Sequence, residues 1–397
     1  MINKKIDKII ITGQALRKNW TSFGWFYELF CYYIEKATGL KCYCTVSPEK
    51  KEEFYPEDKY IPYDIKKIYN AYGFDYSSEG VMLDIAKQWC EIYYNNEYNK
   101  VAYDYFYSIF KDSLVISFEI EDIVKTALSY FEIPHIDINL CPIRFLSDVM
   151  LCFKTDIKEV YDKFLKYRVD EEKLYLEANY IKSIYTQFGQ PDGNDVLFLG
   201  QTGLDKTLIN PKTKEIYSIL EHIEEFKSTL SGFDRIFYKP HPRAYERLEV
   251  KVIRHMKTLA DVEIINTNFY ELISSKNIKK VVSISSGTCA EAKYFGKETQ
   301  TLLQVGVPRQ TKDEFDKDKY VSIYGSFFSL NFWSDILSPL IETKKFDRLI
   351  TIEERNKLRN SRPNALFYYA WQNLDTINLE KKIRHSLIAY DSLEDIF

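Results

Sequence analysis

Apolar residues fall in short runs separated by stretches with helical spacing. Residues 8–12 (KIIIT) read as a buried strand, with a turn at Gly13 and Gln14. Residues 25–37 are aromatic and helix-like, closed by Gly39, and residues 41–46 form a second short strand. Between residues 60 and 107, tyrosines and acidic residues alternate at helical spacings, which predicts helices with an aromatic packing face. Residues 114–118 (LVISF) read as a strand, 121–130 as a helix and 133–140 (IPHIDINL) as a strand, giving a second β-α-β unit. Residues 157–188 are charged and helical. The stretch 190–195 (QPDGND) is the clearest loop and marks a domain boundary.

The second half restarts the rhythm. Strands are predicted at 196–199, 235–239, 262–265, 280–284 and 301–305. Helices are predicted between them at 215–230, 245–258, 269–274 and 289–295. Repeated β-α pairs imply two Rossmann-like, doubly wound α/β domains facing a cleft, with ligands at the carboxyl ends of the strands. The expected division is a first domain over 1–192 and a second over 193–345. A helical segment over 346–397 could pack back on the first domain.

Composition narrows the class. The chain has 397 residues, enough for two or three domains at roughly 150 residues each. With 16% aromatic residues and only 14 Gly and 12 Pro, it can bury a large core, which excludes collagen-like and disordered classes. No apolar run approaches the roughly 18 residues of a membrane span, and none near the start resembles a signal peptide, so a cytoplasmic protein is expected. Seven cysteines without a CxxC pair fit a reducing compartment and offer no zinc motif. A net charge of -4 does not favour a nucleic-acid partner.

Three strand ends in the second half carry unusual polar residues. The first is Gly200-Gln201-Thr202-Gly203-Leu204-Asp205, where Asp205 could serve as base, nucleophile or turn cap. The second is Tyr238-Lys239-Pro240-His241-Pro242-Arg243. Its histidine is fixed between two prolines beside two cations, suited to a departing phosphate. The third is Ser283-Ile284-Ser285-Ser286-Gly287-Thr288, opening a helix. Thr288 and Glu291 read there as a capping box, and the hydroxyls with the helix N-terminus as a phosphate cradle. No Walker lysine follows Gly287. In the first half, Glu119 is expected at a strand end facing the other domain, where it could meet the acceptor. Asp316-Lys317-Asp318 reads as a solvated loop, not a metal motif, so neither metal nor cofactor is expected.

Together, in this order, the motifs resemble the bacterial transferases that use CMP-activated sugar acids, the sialyltransferases and Kdo transferases of GT-B architecture. Gln201 to Asp205, His241-Pro242 and Ser285-Ser286 match that group's Gly-rich loop with a catalytic carboxylate, its H-P motif and its paired Ser/Thr motif. The resemblance covers roughly residues 195–310, and residues 134–155 look like Kdo-transferase sequence. Sialyltransferases often carry an acidic pair before Gly, whereas Leu204-Asp205-Lys206 stands here. The resemblance implies transfer of a Kdo- or sialic-acid-type sugar from a CMP-sugar co-substrate to a glycan or lipid-linked glycan in capsule or lipopolysaccharide synthesis. It implies Asp205, His241 and Glu119 as catalytic candidates. Gln201, Thr202, Gly203, Lys239, His241, Pro242, Ser285, Ser286, Gly287 and Thr288 would form the donor site. Peripheral contact with the inner membrane could come from the basic and aromatic residues between 344 and 371. The competing readings are a CDP-polyol phosphotransferase of teichoic acid type, another nucleotide-sugar GT-B transferase, and a non-catalytic binding protein.

Overall fold

A computed structural model describes residues 5–14, 16, 24–49, 58–76, 82–95, 97–146, 148–185, 193–201, 205–218, 222–241, 252–254, 256–257, 261–265, 267–304 and 306–346. The first half supplies strands β1 (Lys8–Gly13), β2 (Cys42–Val46), β3 (Tyr60–Pro62), β4 (Ser113–Phe118), β5 (His135–Leu140) and β6 (Met150–Lys154). The second half supplies β7 (Asp195–Leu199), β8 (Ile209–Asn210), β9 (Glu215–Ile216), β10 (Ile236–Lys239), β11 (Val262–Ile264), β12 (Ile278–Ser283) and β13 (Glu298–Thr301), followed by β14 (Val321–Tyr324).

Two parallel sheets form, each with the order third-second-first-fourth-fifth in its own strands. In the first the order is β3-β2-β1-β4-β5 and in the second β11-β10-β7-β12-β13. Strand order reverses between β1 and β4 in one sheet and between β7 and β12 in the other. Ligand crevices of doubly wound sheets open at the carboxyl ends flanking such a reversal. The strands are covered on both faces, so apolar residues run continuously along them. Ile9 and Ile11 enter one core while Ile10 enters the other, and Leu197 and Leu199 oppose Val196 and Phe198 in the same way. This α/β arrangement of two Rossmann-like lobes is the GT-B type expected.

The boundary between lobes is less simple than a cut at residue 192. Strand β14 returns to pair antiparallel with β6, itself antiparallel to β5. The helix Leu330–Leu337 then buries Phe332, Trp333 and Ile336 in the first lobe's core. The return therefore begins before residue 346, inside the stretch expected to belong to the second domain. Residues 347–397 lie outside the described residues. The predicted helix over 215–230 is also shorter, spanning Ile223–Leu230. Asn210 Oδ1 accepts from the Lys212 amide at 3.0 Å, and Lys214 adopts φ 58°, closing a turn that pairs Glu215–Ile216 with Ile209–Asn210. Turn chemistry overrides the helical spacing here. The strand expected at 301–305 instead runs over Glu298–Thr301.

A loop from the first lobe seals the two lobes together. Between β5 and β6, Ile143, Phe145 and Leu146 are buried in the same core as Leu197, Val281 and Phe295 of the second lobe. Phe145 packs against Tyr270, Tyr294 and Phe295 with ring centroids 5.7 to 6.4 Å apart. Beside it the Arg144 amide donates to Glu291 Oε1 at 2.7 Å, and the Tyr270 hydroxyl donates to the same oxygen at 3.0 Å. Glu291 is thus an interlobe anchor rather than half of a capping box. The helix Thr288–Ala292 has Gly287 as N-cap, without a side-chain cap bond.

Burial raises the Glu291 carboxyl to about 7, against the lowering effect of the Arg144 amide. A carboxyl raised on folding contributes stability that is present below its unfolded value, near 4.5, and is lost as pH rises through about 7. Glu291→Gln keeps both acceptor contacts without the charge. Its melting temperature relative to the native protein should therefore rise between pH 5 and pH 8. A difference that stays constant over that range would show that Glu291 does not titrate there.

Candidate active site

The carboxyl ends of β7 and β12, on either side of the second sheet's reversal, are tied by a reciprocal pair. Gln201 Nε2 donates to Ser285 Oγ at 3.0 Å, and the Ser285 amide donates to Gln201 Oε1 at 2.8 Å. Ser283 Oγ accepts the Ser286 amide at 3.0 Å, folding the loop back on its strand. The Ser286 and Thr288 hydroxyls meet at 2.5 Å, both half-buried. Gly287 is required by close approach, since a Cβ there would lie 2.8 Å from Pro142 Cβ in the first lobe. The Ser285-Ser286-Gly287-Thr288 loop therefore sits where the lobes touch.

The end of β10 comes beside the Gly200-Gln201 turn. Gly200 fits so closely that a Cβ would come 2.7 Å from the Tyr238 hydroxyl and 3.1 Å from the His241 backbone nitrogen. His241 is half-buried and thus adjoins the Gly200-Gln201 turn. Lys239 donates from Nζ to the Thr267 carbonyl at 2.7 Å, and burial lowers its pKa. Its ammonium is held by backbone in this structure. Thr202, Gly203 and Pro242, all expected in the donor site, lie outside the described residues, as does Arg243.

The two candidate carboxylates are held differently. Asp205 Oδ1 accepts the Thr207 amide and the Thr207 hydroxyl, each at 2.9 Å, capping the short turn Lys206–Leu208. The adjacent Lys206 reaches across to the first lobe. Its Nζ lies 3.1 Å from Glu119 Oε2 and donates to Asn139 Oδ1 at 3.0 Å. Glu119 follows β4 directly and holds φ 55°, a left-handed conformation that costs a non-glycine residue roughly 1–2 kcal/mol. Its amide donates to the Ile138 carbonyl at 2.9 Å.

Behind Glu119 lies a polar network that the sequence reading did not single out. Asn139 Nδ2 donates to the Tyr320 hydroxyl at 3.1 Å, and Tyr320 donates to Asp137 Oδ2 at 2.6 Å. Asp137 Oδ1 accepts from the Ser117 hydroxyl at 2.9 Å and the Ile120 amide at 3.2 Å. Asp137, Asn139 and Tyr320 are all buried. The available signal was the alternation of Asp137 and Asn139 in an otherwise apolar strand, since polar side chains on a core-facing strand need partners. Among the described residues, no three His, Cys, Asp or Glu side chains are grouped as a metal site would need.

Residues 82–305 match the alpha-2,8-polysialyltransferase (POLYST) family. The chain belongs to this family. It is a glycosyltransferase, of the sialic-acid and Kdo type that its motifs resemble, and so works between a nucleotide-sugar donor and a glycan acceptor. No curated protein matches it by sequence. Solved structures with a related fold include two from Thermosulfurimonas dismutans KpsC. The beta Kdo 2,7 transferase is 16% identical, with 51% of this chain and 69% of that chain covered and a TM-score of 0.31. The beta Kdo 2,4 transferase is 15% identical, with 62% and 87% covered and a TM-score of 0.29. E. coli heptosyltransferase WaaC with ADP-2-deoxy-2-fluoro heptose is 12% identical, with 79% and 91% covered and a TM-score of 0.24.

The fit at Gly200 gives a direct test of the loop geometry. Gly200→Ala should destabilise the protein by about 1–3 kcal/mol through overpacking, read by chemical denaturation. Adding Tyr238→Phe, which removes the oxygen at 2.7 Å, should cost less in the Gly200→Ala background than in the native protein. Equal costs in the two backgrounds would place the strain elsewhere.

Proposed function

We propose that the chain transfers a 2-keto-3-deoxy sugar acid, of Kdo or sialic acid type, from a CMP-sugar to a glycan in bacterial capsule or lipopolysaccharide synthesis. The observation that carries this reading is the reciprocal Gln201–Ser285 pair. It joins the loops after β7 and β12 across the strand-order reversal and leaves the Ser286 and Thr288 hydroxyls together at the crevice. The leaving group of a CMP-sugar carries a single phosphate, and this compact pair of hydroxyls suits one phosphate better than a diphosphate, with His241 beside the Gly200-Gln201 turn. Thr202, Gly203, Gly287 and Pro242 would complete the donor loops. Lys239 would act mainly by fixing the end of β10 to Thr267.

In the reaction the acceptor oxygen bonds to the anomeric carbon and its proton passes to a carboxylate. The bond from that carbon to the CMP phosphate oxygen breaks, and the electron pair leaves with CMP. His241 donates a hydrogen bond or proton to that oxygen. Glu119 and Asp205 are the carboxylates available for the acceptor side, Glu119 paired with Lys206 from the first lobe and Asp205 capping the turn that carries Lys206 in the second. Glu119 reaches the crevice from the lobe opposite the donor loops, while Asp205 Oδ1 is engaged in capping Thr207. These positions favour Glu119 as the base and Asp205 as the residue that shapes the loop. The chemistry described uses no metal or cofactor.

No helix among the described residues is long and apolar enough to cross a membrane. The reading places the protein in the cytoplasm, with a lipid-linked acceptor drawing it to the inner membrane. Of the basic and aromatic patch invoked for that contact, Lys344 and Lys345 are described, and residues 348–371 lie outside the described residues.

CMP should raise the melting temperature in proportion to ligand over dissociation constant, and UDP far less. Equal shifts would exclude the single-phosphate site. His241→Ala should weaken CMP binding together with turnover. Glu119→Ala should leave CMP binding nearly intact while turnover falls about 10²-fold or more. Near-normal turnover in Glu119→Ala with a large loss in Asp205→Ala would transfer the base to Asp205. Activity should survive EDTA, and loss restored by manganese would favour a metal-dependent nucleotide-diphosphate enzyme. Turnover of CDP-glycerol in preference to CMP-sialic acid and CMP-Kdo would favour polyol-phosphate transfer.

A further inference from the structure

The network behind Glu119 has more organisation than packing requires. Burying polar groups is unfavourable unless each finds a partner, and here the partners form one chain from Ser117 through Asp137, Tyr320 and Asn139 to Lys206 and Glu119. Five of these six residues belong to the first sheet or its immediate flank. Lys206 alone comes from the second lobe, in the turn capped by Asp205. Its side chain is 13% exposed, and that of Glu119 is 23%. The ion pair is thus largely withdrawn from water, where solvent screening is weaker than at an exposed pair.

We infer that Lys206 is a positioning residue that, when the two lobes meet, clamps the Glu119 carboxylate at the mouth of the crevice. This rests on the transferase reading with Glu119 on the acceptor side. Asn139 fixes the ammonium by accepting a hydrogen bond from it, and Tyr320 and Asp137 fix Asn139. The left-handed backbone at Glu119 sets the direction in which the carboxylate leaves β4. The ammonium then holds the carboxylate's second degree of freedom, its rotation. Because the clamp comes from the second lobe, the interlobe packing that fixes the donor loops also aligns the acceptor-side carboxylate. Lys206 touches neither donor nor acceptor in this scheme and works through Glu119.

The test compares Lys206→Met, Lys206→Arg, Glu119→Gln and the Lys206→Met/Glu119→Gln pair. CMP release is measured with CMP-sialic acid or CMP-Kdo and an oligosialic acid acceptor, and donor-lobe integrity is checked by the melting shift with CMP. Lys206→Met should lower kcat about 10- to 10²-fold, the scale of a misplaced reacting group, with little change in KM for the donor or in the CMP shift. Lys206→Arg, which keeps the charge, should recover most of the rate. In the Glu119→Gln background the Met substitution should cost almost nothing further. Asn139→Leu, which removes the group holding the ammonium, should reproduce part of the kcat loss. A Lys206→Met enzyme with native kcat would overturn the assignment. So would a double variant slowed by the full product of the two single effects, or a loss seen wholly in donor KM. Absence of CMP release by the unaltered protein would remove instead the transferase reading beneath it.

Discussion

Everything in this molecule that resembles a site depends on how the loop between β5 and β6 is buried in the second lobe. Phe145 fills a pocket walled by Tyr270, Tyr294 and Phe295, and the Arg144 amide ends on the buried Glu291 carboxylate. Each sheet has its own strand-order reversal, but a crevice exists only if the two reversals face each other at a fixed distance. Aromatic burial supplies the attraction between lobes, and hydrogen bonds to a carboxylate out of water supply the register. A second joint reinforces the first. Arg309 donates to Ser322 at 2.8 Å, Tyr294 at 2.5 Å and Glu171 at 2.7 Å, linking β14, the second lobe and the helix Glu171–Tyr185.

The chemistry sits on irregular backbone immediately beyond regular strands. Residues just past a strand keep the strand's direction without its ladder, so their side chains and amides are available to one another. Gln201 and Ser285 use that freedom to close on each other. Glu119 uses it to turn through a left-handed conformation. Gly200 and Gly287 occupy the points where neighbouring groups leave no room for a Cβ. Rigid sheets thus hold loops whose shape is set by a few specific contacts, which is the usual division of labour in doubly wound folds.

Much of this was legible beforehand. Strands such as β1, β4 and β7 announce themselves as short apolar runs bounded by turns, because a parallel strand is covered on both faces. The three polar strand ends stood out because hydroxyls, an imidazole and glycine are unusual where an apolar run stops, and the family match over 82–305 covers them. The Glu215–Ile216 hairpin was hidden because its residues also satisfy a helical spacing, and an asparagine turn decided between the two. Strand β14 was missed because its ladder partner, β6, lies in the first half of the chain. Glu291 was misread because a carboxylate three residues after a threonine looks the same whether it caps its own helix or reaches another lobe.

The sequence alone determined two α/β halves, the order of the strand-end motifs and the residue types from which a phosphate-facing site is made. These are local properties, fixed by the period of hydrophobic burial and by which side chains carry protons or lone pairs. The tertiary structure decided which of those residues meet. It paired Gln201 with Ser285, tied Lys239 to a backbone carbonyl, and brought Lys206 to Glu119 from the opposite lobe. It also returned the chain to the first sheet at β14. Contacts between residues far apart in sequence depend on loop closure and on the packing of two lobes, and no local pattern carries that information.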